Sequence, residues 1–243
     1  MYLQLYEIWC SNCNKIRQQI GSDGMKEKMD DKSLANKLLT AEEQAQLTPD
    51  VVLNVLKQGN KEFTEGNLTI RNNSERIRES ALGQYPKAVV VSCLDSRIPV
   101  EDVFHRGLGD LFVARIAGNF VNEDILGSLE FACKVAGAKL ILILGHEHCE
   151  AIKSAINGFE LGNITTMLSK IKPAVVSAKA TFDGENQTSS NPKFVNAVCI
   201  RNIEHAIDVI RTKSPILKEM EDKGEIKIIG GVYYMETGKV VFL

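Results

Sequence analysis

The sequence predicts an α/β fold in which a mostly parallel sheet is flanked by helices. Three short apolar runs with the character of buried strands lie at residues 87–92, 111–116 and 139–144. The segment 122–137, which separates the second run from the third, has its apolar residues at helical spacing. Buried strands that alternate with helices are typical of parallel sheets with both faces covered. We therefore expect one core built around such a sheet.

The remaining elements follow from capping signals and apolar spacing. Thr48 followed by Pro49 predicts a helix over about 49–65, because proline is favoured at the first position of a helix. Further helices are expected from their apolar spacing: 149–157, 163–171 and 192–212. Two apolar runs at the end of the chain, 226–234 and 240–242, are joined by a polar turn. This arrangement predicts a C-terminal hairpin.

The first 47 residues have a different character from the rest of the chain. They are polar, and the helical content expected over residues 33–44 has only a thin apolar stripe of leucines. We interpret residues 1–47 as an N-terminal helical arm and residues 48–243 as a single domain. Cys10 and Cys13 form a Cys-x-x-Cys pair without a second pair or a strand–helix context, so a tail without function is expected, with redox chemistry or lipid attachment as the alternatives.

Length and composition limit the partners that the protein can have. The 243 residues are 44% hydrophobic, which is enough apolar surface for a real core. The formal net charge of −2 gives no long-range attraction to nucleic acid, and no run approaches the roughly 20 apolar residues that span a membrane. Six dispersed cysteines do not resemble a disulfide scaffold. We expect a soluble protein with a small-molecule substrate, cytoplasmic by default, with the periplasm as the alternative if the N-terminus is incomplete or processed.

Two of the apolar runs lead into residues that bind metals. The first run ends at Cys93, and the third leads to His146, with Cys149 three residues later. The carboxyl ends of parallel strands open at one edge of the sheet, so these side chains can meet. Two thiolates and an imidazole favour zinc over magnesium or calcium, and three protein ligands leave a fourth position open. The sequence therefore predicts a zinc site that can perform chemistry.

An acidic and a basic residue follow the first of these ligands closely. Asp95 and Arg97 lie two and four residues beyond Cys93, near enough to form an ion pair. A zinc ion with two thiolates and a neutral imidazole is formally neutral and has little field to acidify a bound water. Asp95 could accept the hydrogen bond of a zinc-bound hydroxide while Arg97 keeps it ionised. Alternatively, Asp95 could itself occupy the fourth position and close the site.

At these residues the chain resembles the β-class carbonic anhydrases. That family has a Cys-x-Asp-x-Arg motif after one strand and His-x-x-Cys after a later one. Here residues 93–97 read Cys-Leu-Asp-Ser-Arg, and residues 146–149 read His-Glu-His-Cys. Similarity also appears at 109–119 and in the closing hairpin, so it covers about 49–243.

The resemblance implies a β-carbonic-anhydrase-like fold and zinc-dependent, reversible hydration of carbon dioxide to bicarbonate and a proton. Carried over by position, it makes Cys93, His146 and Cys149 the zinc ligands, with Asp95 and Arg97 as the catalytic dyad. It also implies a homodimer or a larger homo-oligomer. A hydrolase of carbon disulfide or carbonyl sulfide on the same fold is an alternative.

Two positions depart from the family pattern. Glu150 stands where the family usually has glycine, and His105 stands where it often has aspartate. A second anion beside a neutral zinc–thiolate centre should raise the pKa of bound water and repel bicarbonate, which would leave a catalytically impaired zinc-binding homologue. Glu150 could instead point to solvent from the first turn of a helix, where a carboxylate is favourable. No dedicated proton shuttle can be assigned, and His105 and His148 are candidates.

Overall fold

A computed structural model describes residues 38–67 and 73–243 of the chain, all within one compact unit. Cys10, Cys13 and most of the predicted arm lie outside these residues, so the division of the chain at residue 47 stays a prediction. The helices are α1 (Ala41–Gln46), α2 (Pro49–Thr64), α3 (Asn73–Ser80), α4 (Val100–Val103), α5 (Glu123–Glu130), α6 (Glu150–Asn157), α7 (Gly162–Ser169), α8 (Lys172–Thr181), α9 (Pro192–Lys213) and α10 (Pro215–Asp222). The strands are β1 (Ala88–Ser92), β2 (Leu111–Arg115), β3 (Leu140–His146), β4 (Lys227–Tyr233) and β5 (Val240–Phe242).

The five strands form one sheet in the order β2-β1-β3-β4-β5. The pairs β1–β2, β1–β3 and β3–β4 are parallel, and β5 pairs antiparallel with β4. The α/β fold and the C-terminal hairpin expected from the sequence are therefore confirmed. Ser92, the last residue of β1, is in register with Leu144 of β3. Strand β1 therefore ends beside the last residues of β3, so Cys93 and His146 lie close together at the carboxyl edge of the sheet.

The two central strands β1 and β3 are buried on both faces. Their alternate residues Val89, Val91, Ile141 and Ile143 share a core cluster with apolar residues of α5, α9 and α10. On the opposite face α2 contacts β3. This two-sided burial explains why both strands are continuous apolar runs rather than alternating patterns.

Most helix boundaries agree with the sequence prediction. Helix α2 begins at Pro49 with the Thr48 hydroxyl accepting a hydrogen bond from Val51 N at 3.4 Å, and α6, α7 and α9 lie near their predicted positions. The segment predicted as one helix over 122–137 is α5 followed by a short π-helical turn, Phe131–Val135. Helices α3, α4 and α8 were not predicted. Among the described residues, no helix is long and apolar enough to cross a membrane.

Helix α10 shows what the sequence prediction missed at Pro215. That proline ends α9, but it is also the first residue of a new helix. The Ser214 hydroxyl accepts a hydrogen bond from Leu217 N at 3.2 Å and so caps α10. This is the same cap–proline signal that predicted α2, and here it was interpreted only as a helix end.

Helix α1 packs against the sheet domain. The Gln44 side chain is buried, and its Nε2 donates to the carbonyl oxygens of Pro86 at 2.7 Å and Ala136 at 2.8 Å. Pro86 lies two residues before β1, and Ala136 lies four residues before β3. The residues just before α2 therefore help to fix the amino-terminal ends of β1 and β3.

Candidate metal centre

The three predicted ligand residues meet at the carboxyl edge of the sheet. Cys93 follows β1, His146 is the last residue of β3, and Cys149 directly precedes α6. All three are buried, and their ligand atoms lie within 4.8 Å of one another. The structure thus brings together residues that are 53 positions apart in the chain, because β1 and β3 are parallel neighbours. This group could hold a metal ion.

His146 is oriented for metal binding. Its Nδ1 lies 2.7 Å from the carbonyl oxygen of Glu147, and because a carbonyl can only accept, Nδ1 carries the proton. The neutral ring then has its lone pair on Nε2, which is buried without a hydrogen-bond partner. A protonated nitrogen fixed by a carbonyl is the usual arrangement behind a metal-bound histidine. The orphaned Nε2 therefore fits a metal ion facing the two cysteines.

The two thiols act as a pair. The Cys93 and Cys149 sulfurs are 3.9 Å apart. The hydrogen bond from Cys149 holds the pKa of Cys93 below that of an ordinary thiol, whereas the same bond together with burial raises the pKa of Cys149. Gly118 N also donates to Cys93 Sγ at 3.3 Å. One thiolate is thus favoured before any metal binds, and a bound cation would displace the second proton.

Asp95 and Arg97 form the predicted ion pair at the rim of this group. Arg97 Nε and Nη2 donate to the two carboxylate oxygens of Asp95 at 2.9 and 2.7 Å. Arg97 N donates to Asp95 Oδ1 at 2.9 Å. The Arg97 side-chain bonds lower the pKa of Asp95 to about 2. Asp95 is therefore a carboxylate whose two oxygens are both engaged by arginine.

Arg115, at the end of β2, is a site residue that the sequence analysis did not identify. Its Nε donates to the Cys93 carbonyl oxygen at 3.0 Å, and its Nη2 donates to the carbonyl oxygen of Asp95. It therefore holds the backbone of the loop that carries one ligand and the ion pair. A signal was present, because Arg115 is a charged residue at the carboxyl end of an otherwise apolar strand.

The two departures from the family pattern are not members of the three-residue group. The Glu150 side chain is 75% exposed and its Oε1 is 2.7 Å from Lys153 Nζ. His105 is buried with Nδ1 2.6 Å from Glu62 Oε2, on α2. His148 is half-buried and has a positive φ of 55°. Neither His105 nor His148 is part of the three-residue group.

Comparisons with known proteins agree on one family. A family model described as carbonic anhydrase matches residues 88–240. Carbonic anhydrase 2 of Mycobacterium tuberculosis is 29% identical over 199 residues, which cover 79% of this chain and 92% of that protein. The carbonic anhydrase of Mycolicibacterium smegmatis is 27% identical, with the same coverage of 79% and 92%.

Solved structures give the same result for the fold. The Coccomyxa β-carbonic anhydrase in complex with acetazolamide is similar with a TM-score of 0.63 at 25% identity, covering 70% of this chain and 78% of that one. A structure from a study of two tetrameric β-carbonic anhydrases of the filamentous ascomycete Sordaria macrospora has a TM-score of 0.61 at 23% identity, covering 70% and 87%. The residues matched by the family model, 88–240, include β1 to β4 and the three clustered residues, and they end at the first residue of β5.

Proposed function

Because the chain belongs to the β-class carbonic anhydrases, we propose that it binds one zinc ion through Cys93, His146 and Cys149 and catalyses the reversible hydration of carbon dioxide to bicarbonate. One observation carries the proposal: the buried Nε2 of His146 has no partner and faces two thiols, with all ligand atoms within 4.8 Å. Burying an unpartnered polar atom is costly, so its retention favours a bound cation.

The donor set favours zinc among common metals. Two soft thiolates and an imidazole suit zinc, whereas magnesium and calcium prefer oxygen ligands. Zinc with three protein ligands supplies a Lewis acid that activates water for attack on an electrophile. Carbon dioxide is the substrate that the family implies for such a centre.

The Asp95–Arg97 pair would orient the attacking water. Asp95 remains an acceptor throughout the neutral range, since Arg97 lowers its pKa to about 2. Its engagement with Arg97 Nε and Nη2 also favours the open arrangement over the one in which Asp95 itself occupies the fourth position. In this proposal Asp95 accepts a hydrogen bond from the nucleophile, and Arg97 fixes the direction of the carboxylate.

Glu150 is compatible with activity. Its side chain points to solvent at 75% exposure and pairs with Lys153 at 2.7 Å. An exposed and paired carboxylate is screened by water and acts weakly on a buried centre. The environment of Glu150 therefore supports the active enzyme over the impaired zinc-binding homologue.

Stopped-flow hydration of carbon dioxide by protein of measured zinc content tests the proposal. We expect hydration by the wild type, a loss of roughly 10²–10⁴-fold for Asp95→Asn, and a rate within about twofold of wild type for Glu150→Gly. Stoichiometric zinc without hydration in the wild type, with recovery in Glu150→Gly, would show that Glu150 disables the centre. Absence of zinc from all three proteins would reject the ligand assignment.

A further inference from the structure

Helix α9 contacts the end of β3, which carries His146, and the loop after β2, which contacts Cys93. Cys199 Sγ donates to the carbonyl oxygen of His146 at 3.5 Å. Asn202 Nδ2 donates to the carbonyl oxygen of Gly118 at 2.8 Å. Cys199 and Asn202 are three residues apart and so lie on one face of the helix. This face of α9 therefore contacts the proposed ligand His146 through Cys199 and contacts Gly118 through Asn202.

Gly118 links Asn202 to a ligand sulfur. The carbonyl of Gly118 accepts from Asn202, while its N–H donates to Cys93 Sγ at 3.3 Å. Its φ of +86° is one that L side chains rarely adopt, and a Cβ here would lie 2.4 Å from Ile171 Cδ1. The positive φ by itself strongly favours glycine at this position. The hydrogen bond that the Gly118 carbonyl accepts from Asn202 therefore helps to orient the Gly118 N–H toward Cys93 Sγ.

Asn202 is an unusual residue for its position on α9. It is 1% exposed, among buried apolar residues of the same helix such as Val198, Ile203 and Ala206. Its Oδ1 is buried without a hydrogen-bond partner, so Nδ2 and the Gly118 carbonyl form the one hydrogen bond found for this side chain. A buried amide that is half satisfied costs stability. An apolar residue at position 202 would stabilise the core more than Asn202 does. The presence of Asn202 therefore indicates that its hydrogen bond to Gly118 has a function.

We propose that Asn202 is a positioning residue that holds Gly118 so that its N–H stays on the Cys93 sulfur. The inference rests on the metal centre proposed above. An N–H donor withdraws electron density from a thiolate, weakens its donation to a metal and strengthens the metal as a Lewis acid. This matters most in a centre whose two thiolates already neutralise a divalent cation.

Cobalt substitution tests the inference without relying on catalysis. Co²⁺-loaded wild type is compared with Asn202→Leu, which has a similar volume and lacks the donor. Asn196→Leu is the matched control, because Asn196 is on the same helix and its Oδ1 also lacks a partner. Six residues of an α-helix place the Asn196 side chain about 120° around the helix axis from that of Asn202. Absorption spectra and competition with a chelator are recorded for all three proteins, together with the pH profile of hydration by their zinc forms.

In Asn202→Leu we expect the sulfur-to-cobalt charge-transfer band to move to longer wavelength, because the thiolate lone pairs lose a stabilising hydrogen bond. The stronger thiolate donation should raise the affinity for cobalt at a pH at which both thiols are ionised, and it should raise the pH midpoint of hydration because it weakens the metal as a Lewis acid. Asn196→Leu should match the wild type in all three measurements.

Two results would overturn the inference in different ways. A band, an affinity and a pH midpoint in Asn202→Leu equal to those of Asn196→Leu would reject the role of Asn202 and leave the metal centre intact. A wild type that binds neither cobalt nor zinc would reject the centre and the inference together. If Asn202→Leu does not fold, Asn202→Ser gives the same comparison, since its shorter hydroxyl cannot reach Gly118.

Discussion

The protonation state of Asp95 follows from its two bonds to the Arg97 side chain. A carboxylate with a lowered pKa contributes stability that is fully present above its ordinary value of 3.8 and is lost as the pH falls toward about 2. Between neutral pH and pH 3.8, Asp95 should therefore stay ionised and paired with Arg97. The orienting role proposed for Asp95 consequently does not depend on pH in the range in which the enzyme would work.

Replacement of Arg97 should make Asp95 titrate normally. In Arg97→Leu the two side-chain hydrogen bonds are lost, so the pKa of Asp95 should rise from about 2 toward 3.8. Carbon-13 NMR of the side-chain carboxyl at pH 3.8 should show a fully ionised Asp95 in the wild type and substantial protonation in the variant. Arg201→Leu, which breaks an exposed pair with Glu204, is the control and should leave Asp95 unchanged. Equal titration of Asp95 in all three proteins would contradict the account.

The local sequence was sufficient to predict the contacts of some site residues and insufficient to predict those of others. Asp95 and Arg97 could be predicted to pair because they are two residues apart. Asn202 is 84 residues from Gly118, and its role depends on how α9 packs on the sheet. A polar residue on the apolar face of a predicted helix was the available signal, but that pattern alone does not identify the partner.

At the scale of elements, the packing of α9 on β3 requires a close approach at Gly145. A Cβ at this position would lie 2.7 Å from Cys199 Sγ and 2.8 Å from Ile203 Cδ1. Both atoms belong to buried residues of α9. Glycine here therefore sets the distance between α9 and the strand that carries His146.

Gly145→Ala should destabilise the protein because it overpacks this interface. We expect a loss of about 1–3 kcal/mol in the free energy of unfolding, measured by urea denaturation. Gly231→Ala on β4 is the matched control, since its nearest neighbour to a Cβ is Val240 Cγ1 at 3.2 Å and the overlap is smaller. A cost for Gly145→Ala no greater than that of Gly231→Ala would argue against close packing of α9 on β3.

Element boundaries could be predicted where capping and periodicity agreed. Helix α2 has both signals, and its predicted start agrees with the structure. Helix α10 has a serine cap and a proline, but it follows α9 after a single residue, Ser214, so the proline was interpreted as an interruption. When no loop separates two helices, the sequence signals for the end of one helix and the start of the next cannot be told apart.

At the scale of the whole molecule, strand order determines where the site lies. β3 pairs with β1, so the loops after these strands are adjacent, and β2 forms one edge of the sheet. The parallel sheet could be predicted from the buried runs, and so could the meeting of its carboxyl ends. The order of the strands could not, because the runs are similarly apolar and do not specify their neighbours.

The edge at β2 is the surface where we expect a second copy of the chain. Phe112 of β2 lines a groove with Phe131, which is 52% exposed, and nearby Val135 is 51% exposed. Exposed apolar surface beside an open sheet edge favours association. We therefore expect a homodimer or a larger homo-oligomer.

Analytical ultracentrifugation measures this assembly. The wild type should sediment as two chains or a multiple of two, and Phe131→Asp should shift the distribution toward the monomer. Phe159→Asp changes a phenylalanine of similar exposure, 48%, outside this groove and is the control. A monomeric wild type would refute the expected assembly. If Phe131→Asp and Phe159→Asp had the same effect, the interface would not lie at β2.

The central claim is that Cys93, His146 and Cys149 hold one zinc ion with a fourth position left open. X-ray absorption at the zinc edge, on protein purified without chelators, tests it most directly. We predict one zinc per chain with two sulfur neighbours at about 2.3 Å and two nitrogen or oxygen neighbours at about 2.0 Å. Cys149→Ser should reduce the sulfur count to one or lose the metal. A zinc ion surrounded by nitrogen and oxygen alone, or protein without zinc, would contradict the claim.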